Sequence, residues 1–172
     1  MLSSICCLFA SLAVLARGQD CSSRVCLPPT YNAMDMPPSG KAGPLEVGFT
    51  LLLLDIYGVN HHDFTIDTNI FLTLTWIDDR ILLSNISNDS INVDVRFLEK
   101  LWVPDIYFYG LKELQMTEGI SPEKGLRLKR QDGRVEVTFM IEMELVFVCP
   151  MDVSNFPFDK HVCNIKLTSF SS

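Results

Sequence analysis

Cys149 and Cys163 bracket thirteen residues in "CPMDVSNFPFDKHVC", and no other residues in the chain have a type and spacing so suited to covalent chemistry. Joined as a disulfide they close a 15-residue ring, which removes about 3 kcal/mol of unfolded-state entropy. Pro150 and Pro157 stiffen the same loop, and Phe156-Pro157 is a candidate cis bond. A second pair, Cys21 and Cys26, lies near the start. His61-His62-Asp63 invites a metal ion. Adjacent histidines in an extended chain point to opposite faces, however, so the triplet reads as a hairpin tip and no metal site is predicted. There is no phosphate-cradling Gly motif, no nucleophile elbow and no convincing metal-ligand set, so neither an enzyme nor a cofactor is expected.

Oxidised cysteines presuppose export. "MLSSICCLFASLAVLARGQD" has a short apolar run followed by Ala16 and Gly18 at the small-residue positions of a signal-peptidase site. Residues 1–18 therefore read as a cleaved signal peptide, although no Lys or Arg precedes the run. That run is too short to span a bilayer comfortably. Cleavage removes Cys6 and Cys7 and leaves four cysteines with three possible connectivities, of which 21–26 with 149–163 is the economical one. For the 149–163 loop an immunoglobulin-type bridge is a poor rival, because it needs widely separated cysteines with a Trp between them and no Trp lies between these two. The remaining chain has 13 basic and 21 acidic side chains, a charge of −8, which disfavours nucleic acid and anionic membrane as partners. Asn85-Ile86-Ser87 and Asn88-Asp89-Ser90 make Asn85 and Asn88 candidate glycosylation sites.

The elements that position these groups are mainly strands. Residues 19–43, rich in Pro, Gly, Ser and polar groups, read as an irregular arm. From Pro44, "LEVGFTLLLLDIYGV" and "FTIDTNIFLTLTWID" flank the polar break "NHHD" and read as a long hairpin. In its second strand Ile66, Thr68, Ile70, Leu72 and Leu74 share one face, and Asp67, Asn69, Phe71, Thr73 and Thr75 the other. Phe71 is thus an aromatic on the polar face. Asp132-Gly133 is a hairpin turn pair. After it Val135, Val137, Phe139, Ile141, Met143, Leu145 and Phe147 alternate strictly with Glu136, Thr138, Met140, Glu142 and Glu144. That is the pattern of a half-buried antiparallel strand, and an all-β sandwich is the natural solution for such strands.

Cys, thirteen residues and Cys, with an internal Phe-Pro-x-Asp (Phe156, Pro157, Asp159), resembles the signature loop of Cys-loop pentameric ligand-gated ion channels. Other motifs agree in order. "TNIFLTLTWIDDR" resembles the strand of binding loop D with the family's Trp-x-Asp, here Trp76 and Asp78; "LWVPDIYFY" resembles the lead into loop A, and "CNIKLTSF" the start of loop B. The resemblance covers about residues 31–172. It implies the immunoglobulin-like β-sandwich of that extracellular domain, with 44–172 as a partial ligand-binding domain. It also implies homo- or hetero-pentameric assembly and a small-molecule neurotransmitter held between neighbouring subunits. Phe71 then falls on the loop D aromatic, Tyr107 or Tyr109 on that of loop A, and Phe170 on that of loop B. Met140 and Glu142 are candidates for loop E. In that family the loop from Cys149 to Cys163 couples binding to pore opening at the membrane end of the domain.

Local motifs are closest to glycine and GABA receptor subunits, whereas "FPFD" at 156–159 resembles the nicotinic and serotonin branch. In the amino-acid-gated members an Arg two residues after the loop D aromatic binds the ligand carboxylate. Thr73 stands there, and a hydroxyl cannot supply the paired charged donors of a guanidinium. Either the ligand is not a simple amino acid, or this subunit does not supply the complementary face. The chain ends at Ser172, before the family's loop F, C-loop hairpin and transmembrane helices, so membrane contact is expected only through that missing part. The expected location is the secretory pathway and the cell exterior. A soluble, ligand-sequestering module resembling acetylcholine-binding proteins is the alternative reading.

Overall fold

A computed structural model describes residues 20–22, 24–39, 43–84, 90–115 and 124–169. Residues 1–18, read from the sequence as a signal peptide, and Asn85, Asn88 and Phe170 lie outside the described residues. The first strands in chain order are β1 (Asp20–Ser22), β2 (Val25–Leu27), β3 (Val47–Asn60), β4 (Thr65–Ile77), β5 (Leu82–Leu83) and β6 (Ser90–Val93). A 3-10 turn over Val95–Lys100 precedes β7 (Ile106–Tyr109), β8 (Leu111–Gln115), β9 (Lys124–Gln131), β10 (Arg134–Val148) and β11 (Lys166–Ser169). No helix among the described residues is long and apolar enough to cross a membrane.

β10 is the spine of the larger sheet, whose order is β3-β4-β10-β9-β6. It pairs antiparallel with β4 from Glu136↔Ile77 to Val148↔Thr65 without a register shift. Its other edge is shared, β9 taking the first half and β8 the second. The alternation read from the sequence is the alternation observed: Val135, Val137, Phe139, Ile141, Met143, Leu145 and Phe147 are all buried. Two turns set this register. Asp132 (φ 51°) and Gly133 (φ 78°) both take positive φ, as a two-residue hairpin linking right-twisted strands requires. At the β3–β4 tip the Asn60 side chain substitutes for missing backbone partners, its Oδ1 accepting from the amides of His62 (2.9 Å) and Asp63 (3.0 Å).

A second layer covers the apolar face of this sheet. β7 pairs with β11, and Phe108 of β7 packs edge-on against Phe147 of β10, with ring centroids 5.9 Å apart. The result is the expected all-β sandwich, with its core around Ile70, Trp76, Leu128, Val137 and Leu145. β3, an edge strand, is only half covered: Leu52, Leu53, Leu54, Ile56 and Tyr57 each remain about 50% exposed.

The N-terminal segment is more structured than its composition predicts. Instead of an arm irregular throughout, β1 and β2 form a small hairpin that aligns Cys21 with Cys26, and β2 pairs with β5. Val25 and Leu27 lie in the core. The chain after them is pinned by a polar cluster. Asp78 is fully buried and accepts from the Tyr31 hydroxyl (2.9 Å) and from Nε and Nη2 of Arg80 (2.8 Å each). Arg80 also donates to the carbonyls of Asn32 and Asp35 and lies 4.3 Å from the centre of the Tyr31 ring. The Tyr31 oxygen in turn accepts from the Trp102 amide at 2.9 Å. Burial first, and then the Asp78 carboxylate, hold the Tyr31 phenol well above its ordinary pKa. The Trp-x-Asp motif is therefore the anchor that fastens the N-terminal segment to the sandwich.

Candidate functional site

Three groups of predicted residues occupy three places. The first is the outward face of the β4–β10 pair. The strict ladder puts Phe71 opposite Glu142 and Thr73 opposite Met140, so four residues named from separate stretches become neighbours on one face. All four are partly buried. Leu52 of β3 lies opposite Phe71 on the other side, and Gly125 of β9 lies opposite Met140. A Cβ on Gly125 would meet the Met140 methyl at 3.0 Å, so glycine there leaves the thioether room to lie flat. Carboxylates give this face its charge. Glu142 accepts from Asn69 Nδ2 at 2.8 Å, and Glu144 is two residues further along the strand, opposite Asn69. Tyr57 reaches the Glu144 carboxylate, and burial together with that charge raises the Tyr57 phenol. An aromatic ring beside carboxylates suits a positively charged ligand group, through the ring quadrupole and direct attraction. Asn69 Oδ1 is buried there without a hydrogen-bond partner.

The second group lies on the β7–β11 sheet. Tyr107 and Tyr109 share the face opposite to buried Phe108 and are 45% and 66% exposed. Their strand partners are Thr168 and Lys166. Lys166 Nζ sits 6.0 Å from the Tyr109 ring centre, already offering that ring a cation from within the chain. Beside this sheet a cleft of about 360 Å³ is lined by Trp102, Asp105, Phe49, Thr168 and Ser169 among others. The Ser169 hydroxyl donates to Asp105 at 3.1 Å, which ties the residue before Phe170 to the Trp-x-Pro-Asp segment.

The third group is the ring. Cys149 and Cys163 are bonded, with Cα atoms 5.1 Å apart, and Cys21 is bonded to Cys26. Phe156-Pro157 is cis, as its sequence allows. The ring's apolar tip points outward: Phe156 is 72% exposed and Phe158 91%. Its base is fastened to the sandwich. The Cys149 amide donates to the Phe64 carbonyl of the β3–β4 turn at 2.7 Å, the Val148 amide donates to the Gly110 carbonyl, and Met151 is buried. Asp152 accepts from the Ser154 amide at 3.0 Å, which lowers its carboxyl pKa. Unlike the phenylalanines, Asp159 and His161 turn inward.

The sequence reading placed His61 and His62 at the hairpin tip, where His62 Nδ1 lies 3.1 Å from Asp63. It missed that His61 faces His161 of the ring, with ring centroids 5.8 Å apart. It also missed the Tyr31–Asp78–Arg80 cluster. The first had only a faint signal, the Asp-x-His spacing of 159–161, and the second had none beyond Trp-x-Asp.

One family model, the neurotransmitter-gated ion-channel ligand binding domain, matches residues 24–172. The match takes in the β2 segment, the Trp-x-Asp anchor, the β4–β10 face and the disulfide-closed ring together. This chain belongs to the neurotransmitter-gated ion-channel ligand-binding domain family.

Proposed function

We propose that this chain forms part of the extracellular domain of a channel subunit that holds a small, amine-bearing neurotransmitter at the boundary between neighbouring subunits of a pentamer. Phe71, Thr73, Met140 and Glu142 supply the complementary side of that boundary, and Tyr107, Tyr109 and Phe170 the principal side. Binding reaches the pore through the 149–163 ring, with Phe156 and Pro157 at its tip and Asp159 turned inward beside them. The observation that carries this reading is the juxtaposition of Phe71 with Glu142 on the outer face of β4 and β10. A ring face attracts a cation by about 0.5–2 kcal/mol, and the carboxylate beside it repels an anionic ligand group. Thr73 adds no positive charge to offset this. In the same reading residues 1–18 are a signal peptide, 19–43 precede the main domain of 44–172, and Asn85 and Asn88 carry glycans.

The test is an agonist panel on oocytes expressing a receptor subunit that carries this segment. Phe71→Ala and Phe170→Ala should each right-shift the response by at least about tenfold, a loss near 1.4 kcal/mol. Thr75→Ser, on the same face of β4 but four residues beyond Phe71, should not. Unchanged potency in both Phe variants refutes the assignment.

A further inference from the structure

The geometry points to a divalent transition-metal site, best suited to Zn2+, formed by His61, Asp159 and His161, which joins the β3–β4 tip to the 149–163 ring. Each of the three offers one ligand atom, and these atoms all lie within 4.8 Å of one another. Two imidazoles and one carboxylate are a standard donor set for tetrahedral Zn2+, with water in the fourth position. Metal–ligand bonds of about 2.0–2.2 Å require donor atoms about 3.4 Å apart. His61 must therefore close in by about an ångström, which its exposed side chain at the hairpin tip can supply, while the Asp159 oxygen and His161 Nε2, already in contact, must part by a similar amount to admit the ion.

Two further observations favour an ion over a chance cluster. Asp159 and His161 are both turned away from water, at 9% and 17% side-chain exposure. The same ring leaves Phe156 and Phe158 in solvent, so hydrophobic burial has not selected which residues turn inward. His161 Nε2 touches an Asp159 carboxylate oxygen, yet it is buried without a hydrogen bond of acceptable geometry. A largely covered carboxylate pressed against an imidazole nitrogen that makes no well-formed hydrogen bond is costly as it stands. A cation between them would satisfy both. The scaffold is fixed from both directions, by the Cys149–Cys163 bond across the ring and by the Cys149 amide donating to Phe64, three residues after His61.

A bound ion would join two segments that are otherwise linked at that end by this single backbone hydrogen bond and the β4–β10 ladder. The site requires no neurotransmitter, so it stands or falls apart from the ligand reading.

The experiment uses the full chain, secreted with both disulfides intact, stripped of metal and titrated with Zn2+ against a chromophoric indicator. One equivalent should bind. His61→Ala and His161→Ala should each weaken binding by roughly 100-fold or more, while His62→Ala should change it by less than about threefold. Diethyl pyrocarbonate footprinting of the unmutated chain, read by peptide mass, should show Zn2+ protecting His61 and His161 but not His62. Should His161→Ala fail to fold, the exposed His61→Ala variant and the footprint still decide. Absence of Zn2+ binding, wild-type affinity in His61→Ala, or equal protection of His62 overturns the site.

Discussion

Removing the Asp78 carboxylate should destabilise the sandwich more than any surface change. Asp78 has no exposure, and it accepts from the Tyr31 hydroxyl and from the Arg80 backbone amide, Nε and Nη2. Asp78→Ala would leave the Arg80 guanidinium, only 18% exposed, with the carbonyls of Asn32 and Asp35 but no counter-charge. Breaking one partner of a buried pair costs about 3–5 kcal/mol. Asp78→Asn keeps the shape and one acceptor, so its loss should be nearer 2 kcal/mol, the scale of a hydrogen bond to a charged group. Arg80→Ala should resemble Asp78→Ala, because it strands the carboxylate instead. The double variant should then be little worse than either single one, giving a coupling energy close to the cost of one single variant, about 3–5 kcal/mol. Urea unfolding followed by tryptophan fluorescence suits the measurement. The chain has two tryptophans, Trp76 lies two residues before Asp78, and the Trp102 amide bonds to Tyr31. Their rings meet edge-on at 6.2 Å, so the signal originates beside the perturbation. A coupling below about 0.5 kcal/mol would refute the claim that this cluster anchors the N-terminal segment.

The Tyr31 phenol is raised in the folded chain, so the unfolded chain loses its proton first as pH rises past about 10. The associated stability is present below that pH and is lost above it; alkaline unfolding curves should steepen there, and Tyr31→Phe should flatten them. Asp94 shows the opposite sign. Its carboxyl is lowered to about 2 by the Arg96 side chain and amide, so its contribution is present above the ordinary Asp range and disappears as pH falls through about 2. A carbon-13 titration placing its midpoint near 4 would contradict the contact. Cys149→Ser should abolish secretion of folded protein, since it forfeits about 3 kcal/mol of ring-closure stabilisation; normal secretion with a cooperative melt would contradict this. Thr73→Arg should shift agonist preference towards carboxylate ligands in the oocyte panel. Strong gating by glycine or GABA with Thr73 intact would overturn the ligand inference.

The legible parts of the fold were those encoded within a few residues. The alternation from Val135 to Phe147, the Asp132-Gly133 turn and the opposite faces of β4 all follow from period-two patterning and local φ preferences, and each is seen. Residues 20–27 were not legible as strands, because three-residue strands carry too few side chains to show a period and this hairpin depends on pairing with β5. Candidate site residues could be named from the sequence, but their arrangement could not. Phe71 stood out as an aromatic on a polar face, but nothing local to it specifies Glu142 as its neighbour. That follows from the long-range register of β4 on β10. His61 and His161 belong to segments joined only by tertiary contact, so reasoning about neighbours in sequence dismissed His61 together with His62.

The β4–β10 ladder has a mechanical consequence. It runs from Glu136↔Ile77 to Val148↔Thr65 with no bulge, whereas the β3–β4 ladder slips twice and the β8–β10 ladder once. An unbulged two-strand ribbon resists sliding, because any slip of one residue would turn every buried side chain outward. Glu142 of β10 and Cys149, just past its end, are seven residues apart, roughly 23 Å at the usual rise. Phe71 of β4 and Phe64, just before its start, are the same number of residues apart, and the two strands end where the Cys149 amide meets the Phe64 carbonyl. The pair is therefore a stiff ribbon that joins the outer face to the ring, bordered by slipped ladders at β3 and β8 and by a regular one at β9.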